Sequence, residues 1–156
     1  MEFIRENIQG FIALLALGIS LWHLRIYRRH NEKSVTPHLH IDINHSPEGL
    51  PIKWVLKNNG IGPAIITEFM IFAGERELLF PKLEDFKSLL LTIGIDNCDN
   101  FHLFTLNDYL DQSGKTTLLS FSNEDARKYA TNIAKLSWHI TYTCVYGKKH
   151  KLFSAT

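Results

Sequence analysis

Apolar and polar residues follow different rhythms along this chain, and each rhythm predicts a different kind of element. From Ile8 to Leu24 no residue is formally charged, and the stretch reads IQGFIALLALGISLWHL. From Leu39 the rhythm shortens to strict alternation. In HLHIDIN, Leu39, Ile41 and Ile43 fall on one face, and His38, His40, Asp42 and Asn44 on the other, which is the pattern of a half-buried strand. Helical spacing comes later, in PKLEDFKSLLL and SNEDARKYATNIAKL.

The first run is long enough to cross a membrane. Arg25, whose stem can snorkel, followed by Ile26 and Tyr27, extends it to about 20 residues, roughly the 30 Å of a bilayer core at 1.5 Å per residue. The pattern predicts a transmembrane helix over residues 7–27. A cleaved signal peptide fits less well, because Glu2, Arg5 and Glu6 nearly cancel and the run exits through Trp22, His23 and Leu24, which make a poor cleavage site. Arg25, Arg28, Arg29 and Lys33 follow the helix, while only Arg5 and the amino terminus precede it. Excess Lys and Arg stays cytoplasmic. The expected arrangement is a single-pass inner-membrane protein with its N-terminus outside. Residues 1–34 form the anchor and a basic juxtamembrane linker, and residues 35–156 form a cytosolic domain. Cys98 and Cys144 have no CxxC partner and make no disulfide framework.

Within the anchor, Gln9, Ala13, Ala16, Ser20 and His23 recur at heptad spacing on one face. No bulky aliphatic residue interrupts that face. Small side chains let helices approach closely in lipid, and Gln, Ser and His can hydrogen-bond across the contact. An intramembrane polar residue normally faces protein or water. The stripe predicts self-association; the alternative is the ordinary small-residue content of a single-pass helix.

The remaining 122 residues suffice for one core. After HLHIDIN, the turn SPEG leads to a second strand, IKWVLKN. The segment NGIGP turns the chain into AIITEFMIFAG, which is apolar on both faces apart from Thr67 and Glu68 and therefore reads as a central strand. ERELLF returns. A helix is expected at 81–91, with Pro81 at its start and Leu83, Phe86, Leu89 and Leu90 on one side. FHLFTL and TTLLSFS read as strands. Ser122 or Asn123 can cap a helix that has Glu124 and Asp125 in its first turn and a stripe of Ala126, Tyr129, Ala130 and Ile133. SWHITYTCVY and HKLFSA, separated by GKK, form a hairpin. The fold expected after the transmembrane helix is a mainly antiparallel β (α+β) sandwich-like domain of seven or eight strands with two helical insertions.

Charge narrows the function. Of 17 Lys and Arg, five precede residue 35, as do three of the 16 Asp and Glu, so the domain carries a net charge of −1. That balance argues against binding duplex nucleic acid. Local basic spots remain at Lys53 and Lys57, at Arg127 and Lys128, and at Lys148, Lys149, His150 and Lys151. Such a spot can hold a small anionic ligand, and Trp138, His139, Tyr142 and Tyr146 lie near it in sequence as candidate stacking surfaces. The same lysines can equally solubilise a turn while the aromatics fill a core.

Catalytic signatures are lacking. QSGKTT resembles the end of a phosphate-binding loop, but Tyr109 stands where that loop needs Gly, and a strand rather than a helix follows. No GxSxG occurs, and neither cysteine has a histidine partner in sequence, so no enzyme activity and no cofactor are expected. His38, His40 and Asp42 lie along one strand face, with His45 just beyond, at a spacing that could hold a transition metal. Polar residues are also what the wet face of any antiparallel strand requires, and no metal is assigned.

LKNNGIGPAIITEFMIF and ITYTCVYGKKHKLFSA resemble a pattern in many small bacterial membrane-anchored β-sandwich proteins. In those, an Asn-Gly-Gly-Pro-Ala turn introduces a strand, and a Tyr-rich strand turns through Gly near the C-terminus. In overall architecture (a short chain, an N-terminal anchor, a C-terminal cytosolic domain and a seam for oligomerisation) the sequence also resembles the CRISPR-associated membrane proteins that bind a cyclic oligoadenylate. That resemblance implies an antiviral effector whose soluble domain senses a cyclic oligonucleotide and whose helices then perturb the bilayer. For such a ligand the basic spots and their neighbouring aromatics give the expected site, Lys53, Lys57, His139, Tyr142, Lys148, Lys149, His150 and Lys151; the expected partners are the lipid bilayer, a second copy and a cyclic oligoadenylate. The rival expectation is a membrane-tethered protein-interaction module with no small ligand.

Overall fold

The structure is a computed structural model that describes residues 2–154; the side chains of residues 2–7, 9 and 51 lie outside the description. The chain divides into two compact units, Met1–Ser34 and Val35–Thr156.

The first unit is a single helix, α1 (Glu2–Ser34). Its stretch Gly10–Ser34 is long and apolar enough to cross a membrane, with a mean hydropathy of 1.5. The helix outlasts the expected span of 7–27, continuing through Arg28 and Arg29, where Arg28 and Glu32 pair one turn apart at 3.7 Å. Helix-forming Arg, Glu and Lys carry it past the apolar run, and Pro37 sets its limit by forcing the residue before it toward extended backbone. Of the expected seam, Ala13, Ala16, Ser20 and His23 are exposed on α1, and the side chain of Gln9 lies outside the described residues. The Ser20 hydroxyl donates to the Ala16 carbonyl at 2.8 Å, so its proton is used within the helix and its oxygen is left as an acceptor.

The second unit holds β1 (Leu39–His45), β2 (Pro51–Asn58), β3 (Ala64–Ala73) and β4 (Arg76–Leu79), then α2 (Leu83–Thr92). After it come β5 (Asn100–Phe101), β6 (Tyr109–Leu110), β7 (Lys115–Ser120), α3 (Asn123–Ile133), β8 (Leu136–Thr143) and β9 (Lys149–Ser154). Among the described residues every strand pairing is antiparallel. One sheet runs β1-β2-β7-β5 and the other β4-β3-β8-β9, with β6 paired to the start of β3.

Alternation sets the core. Leu39 and Ile41 of β1 lie opposite Asn58 and Leu56 of β2 and are buried with Trp54. From the other sheet, Ile66, Phe69, Ile71, Trp138 and Ile140 join the same cluster. The Trp54 and Trp138 rings meet at 5.5 Å, joining the sheets' apolar faces. Helix α3 adds Ala126, Tyr129 and Ile133, and its start is capped by Ser122, whose hydroxyl oxygen accepts from the Asp125 N–H at 3.0 Å. Helix α2 begins two residues later than expected. It buries Phe86, Leu89 and Leu90 but leaves Leu83 in its first turn exposed, so Leu83 is not part of its packed side.

FHLFTL is strand only at Phe101. His102 still donates its N–H to Leu118 at 3.2 Å, but the chain then leaves the sheet to drive Phe104 into the core against Phe69. A turn follows, in which the Asp108 carboxylate accepts from the Thr105 N–H at 2.6 Å and Asn107 takes φ 67°. That turn delivers β6, a strand the periodicity does not announce.

The NGIGP turn is organised by Asn58, which is 1% exposed. Its Oδ1 accepts from the N–H groups of His38 at 3.1 Å and Gly60 at 3.0 Å. Its Nδ2 faces the carbonyls of Gly62 at 2.8 Å and of Leu110 and Asp111 at 3.1 Å each. The glycines serve close approach rather than left-handed backbone, for neither Gly60 nor Gly62 has positive φ. A Cβ on Gly60 would collide with the backbone of Thr36 and His38, and one on Gly62 with the Val35 carbonyl. The chain leading into β1 lies on those glycines, and the strand β3 follows, so the loop has neither room nor a helix N-terminus for phosphate.

Candidate functional site

The residues expected to hold an anion are divided between the sheets. Lys53 and Lys57 lie on β2, opposite Asn44 and His40 of β1, on the side turned away from the core. Lys57 pairs with Asp42, which also takes His40 Nε2 at 3.0 Å. Lys57 is the main reason the Asp42 carboxyl is held below the ordinary carboxylate range, with His40 adding to it. The wet face of β1 is therefore internally paired, and no group of three His, Cys, Asp or Glu converges for a metal among the described residues.

His139, Tyr142, Lys149, His150 and Lys151 belong to the β8–β9 ladder of the other sheet, and Lys148 to the turn between the strands. Register separates them by face. His139 lies opposite Phe153 and stacks on it at 4.2 Å; Thr141 lies opposite Lys151, and Thr143 opposite Lys149. Tyr142 lies opposite His150 on the core side, and the two rings stack at 5.3 Å and 18°. Tyr142 is 4% exposed, and its hydroxyl oxygen accepts the Leu39 N–H at 3.2 Å. It is thus a packing residue that ties β8 to β1, not an open platform for a base.

His150 lies between the two environments. It is half-buried, and its Nε2 is covered without a hydrogen-bond partner. Burial lowers its pKa below the usual imidazole value, and Lys148 and His38 lower it further. An imidazole flanked by positive groups, with an unfilled nitrogen, is an arrangement that an anion would relieve. Of the expected site, Lys148 and His150 lie close enough to interact, with His38, which the expected site did not include, beside them, while Lys149 and Lys151 lie on the opposite face of the ladder. Lys53 and Lys57 lie on another sheet. The hairpin forms as its sequence suggests: Gly147 takes φ 77° and donates its N–H to Cys144 at 2.8 Å, closing the turn that presents Lys148.

A second site lies where the sequence suggests none. The C-terminal half of α2 and the following coil enclose a cleft of about 390 Å³, with Phe86, Leu90, Ile95 and Phe101 on its walls and Lys87, Asp96 and Cys98 beside them. Burial pushes the Cys98 thiol up, so it stays protonated and poorly nucleophilic. Asp96 is held by Lys128 of α3 at 3.1 Å. The walls suit a small apolar group rather than a polyanion. Its residues come from one helix end and an irregular coil, which share no period.

No protein-family model, no characterised protein and no solved structure matches the chain.

Proposed function

We propose that the chain is a single-pass inner-membrane protein with a cytosolic β-sandwich domain that binds a cyclic oligonucleotide at the β8–β9 hairpin. The bound messenger biases the association of the membrane helices along Ala13, Ala16, Ser20 and His23, and the assembled helices perturb the bilayer as an antiviral effector. The role is binding, not catalysis. The observation that carries this reading is His150, an imidazole with a covered, unpartnered Nε2 set beside Lys148 and His38. A phosphodiester at the hairpin would pair with Lys148 and offset its effect on the imidazole. The messenger can act only by preferring one assembly state, since equal affinity for both shifts nothing.

The test is thermal unfolding of the full chain in nanodiscs against cyclic oligoadenylates of different ring size. A specific ligand at a hundred times its Kd stabilises by about 2.7 kcal/mol. Lys148→Glu removes the shift. Unchanged melting across the series refutes the ligand reading. Expression toxicity that persists after residues 1–30 are deleted refutes the effector half.

A second reading, a membrane-tethered interaction module with no small ligand, is favoured by the apolar side chains on the outer face of the β4-β3-β8-β9 sheet. Leu79 and Phe153 stand there 58% and 67% exposed.

A further inference from the structure

Strand β3 is apolar on both faces, yet only one face is in the core. Register places the other face in rows across the sheet. One row runs Leu79, Met70, His139, Phe153. The next runs Glu68, Thr141, Lys151, and the last Tyr109, Ile65, Thr143, Lys149. Tyr109 is 64% exposed, and Leu79 and Phe153 are more than half exposed. The outer face of an antiparallel sheet is ordinarily polar, and a contiguous apolar patch on it marks a contact surface.

We propose that this face binds the same face of a second copy of the chain, about a two-fold axis parallel to the strands. The charge pattern selects both the occupant and the axis. Basic residues lie on one edge strand, β9, as Lys149 and Lys151. The opposite side carries Tyr109, Leu79 and, on β3, Glu68. A strand-parallel two-fold lays each row on itself in reverse. Phe153 of one copy then covers Leu79 of the other, and Lys149 covers the face of Tyr109. Lys151 comes down beside Glu68, in the space between the short strands β4 and β6. A two-fold across the strands instead lays β9 on β9, with lysines against lysines. The face is therefore self-complementary in one orientation, as an isologous contact requires. The strand-parallel contact also brings opposite charges together and adds cation–π contact at Tyr109. This inference is independent of the ligand reading, since the contact uses neither His150 nor Lys148 and forms without messenger.

Cross-linking of the full chain in nanodiscs, without any nucleotide, tests it. In a background with Cys98→Ser and Cys144→Ala, Leu79→Cys and Phe153→Cys are placed on separately tagged chains and mixed. Each chain carries a single cysteine, so any product joins two chains; facing sheets stand roughly 10 Å apart, beyond the about 7 Å between Cα atoms that a disulfide allows, so a bismaleimide is used to bridge the thiols. The expected result is a cross-link between the two differently tagged chains, exceeding the yield from either variant alone. Lys151→Glu cuts that yield about tenfold, because the two-fold repeats each lost contact, and Glu68→Lys in the same chain restores it. Rescue by the double reversal separates a broken contact from a misfolded domain. A Leu79–Leu79 or Phe153–Phe153 product in excess, or no product above background, overturns the proposal.

Discussion

Asn58→Ala is the sharpest perturbation of this fold. The side chain serves five backbone groups, two N–H donors and three carbonyls, at 2.8–3.1 Å, and none of its partners is in its own strand. It links the start of β1, the turn after β2 and the segment 110–111 before β7. A buried hydrogen bond contributes about 1 kcal/mol net, and removing one partner leaves the other with a desolvation penalty of about 1–3 kcal/mol. His38 and Gly60 are not fully covered, so water can reach part of what the truncation exposes. Two or three uncompensated groups then give a loss of about 3–4 kcal/mol. For a domain of this size that lowers Tm by about 12–16 °C.

Tryptophan fluorescence is the natural assay, because Trp54 and Trp138 are 0% and 2% exposed in the core. Trp22→Phe removes the signal of the membrane helix. Asn58→Asp should be at least as damaging, since it turns a carboxylate oxygen toward three carbonyls. Asn59→Ala, next in sequence and exposed, should stay within about 0.5 kcal/mol of the parent. An Asn58→Ala protein that melts within about 1 kcal/mol of the parent would refute the view that this side chain organises the turn.

Gly62→Ala should destabilise by more than about 2 kcal/mol in the same assay, because its Cβ meets the Val35 carbonyl, whereas Gly49→Ala meets no neighbour and costs only its φ of 80°. The folded-state pKa of His150 is lowered, so between that value and the ordinary imidazole value the unfolded chain binds more protons than the folded one. The stability it contributes is present above about pH 6.5 and is lost as pH falls through the folded value; His150→Gln should flatten the decline in Tm between neutral and mildly acidic pH. Anion binding at the hairpin has the opposite linkage and should tighten on acidification, which calorimetry at two pH values reads directly. Ala16→Leu with Ser20→Leu should weaken self-association in a membrane two-hybrid assay while leaving the melting of the β-rich domain unchanged; equal association would remove those residues from the helix contact.

Most of the elements could be read from local pattern, and the exceptions have physical reasons. Alternation gave β1, β2 and β8, and the Ser122 cap with its acidic first turn gave α3. Helix α1 outlasts the apolar run because hydropathy marks where lipid ends, not where helix ends, and Arg28, Arg29 and Glu32 remain good helix formers in water. FHLFTL has the apolar and aromatic content of a strand, but Phe104 is needed in the core, and tertiary packing outweighs a local pattern of six residues. Two-residue strands such as β6 have no period to detect.

The site was less legible because face, unlike strand, depends on register between distant segments. HKLFS and WHITYT show which residues alternate, but not that His150 meets Tyr142 on the core side while Lys149 and Lys151 point out. That parity is fixed by the four-residue turn at Gly147; one residue more or less would exchange the two sets. The β3 pattern carried the clearest warning. A strand apolar on both faces was read as central, and it is central within its sheet, flanked by β4 and β6 on one side and β8 on the other. A central position accounts for paired edges, however, and does nothing to cover a face. Ile65, Met70 and Phe72 are apolar and only partly buried on the face turned away from the core, which leaves that face open to a contact. The charge order on the flanking strands is what the proposed two-fold contact with a second copy requires.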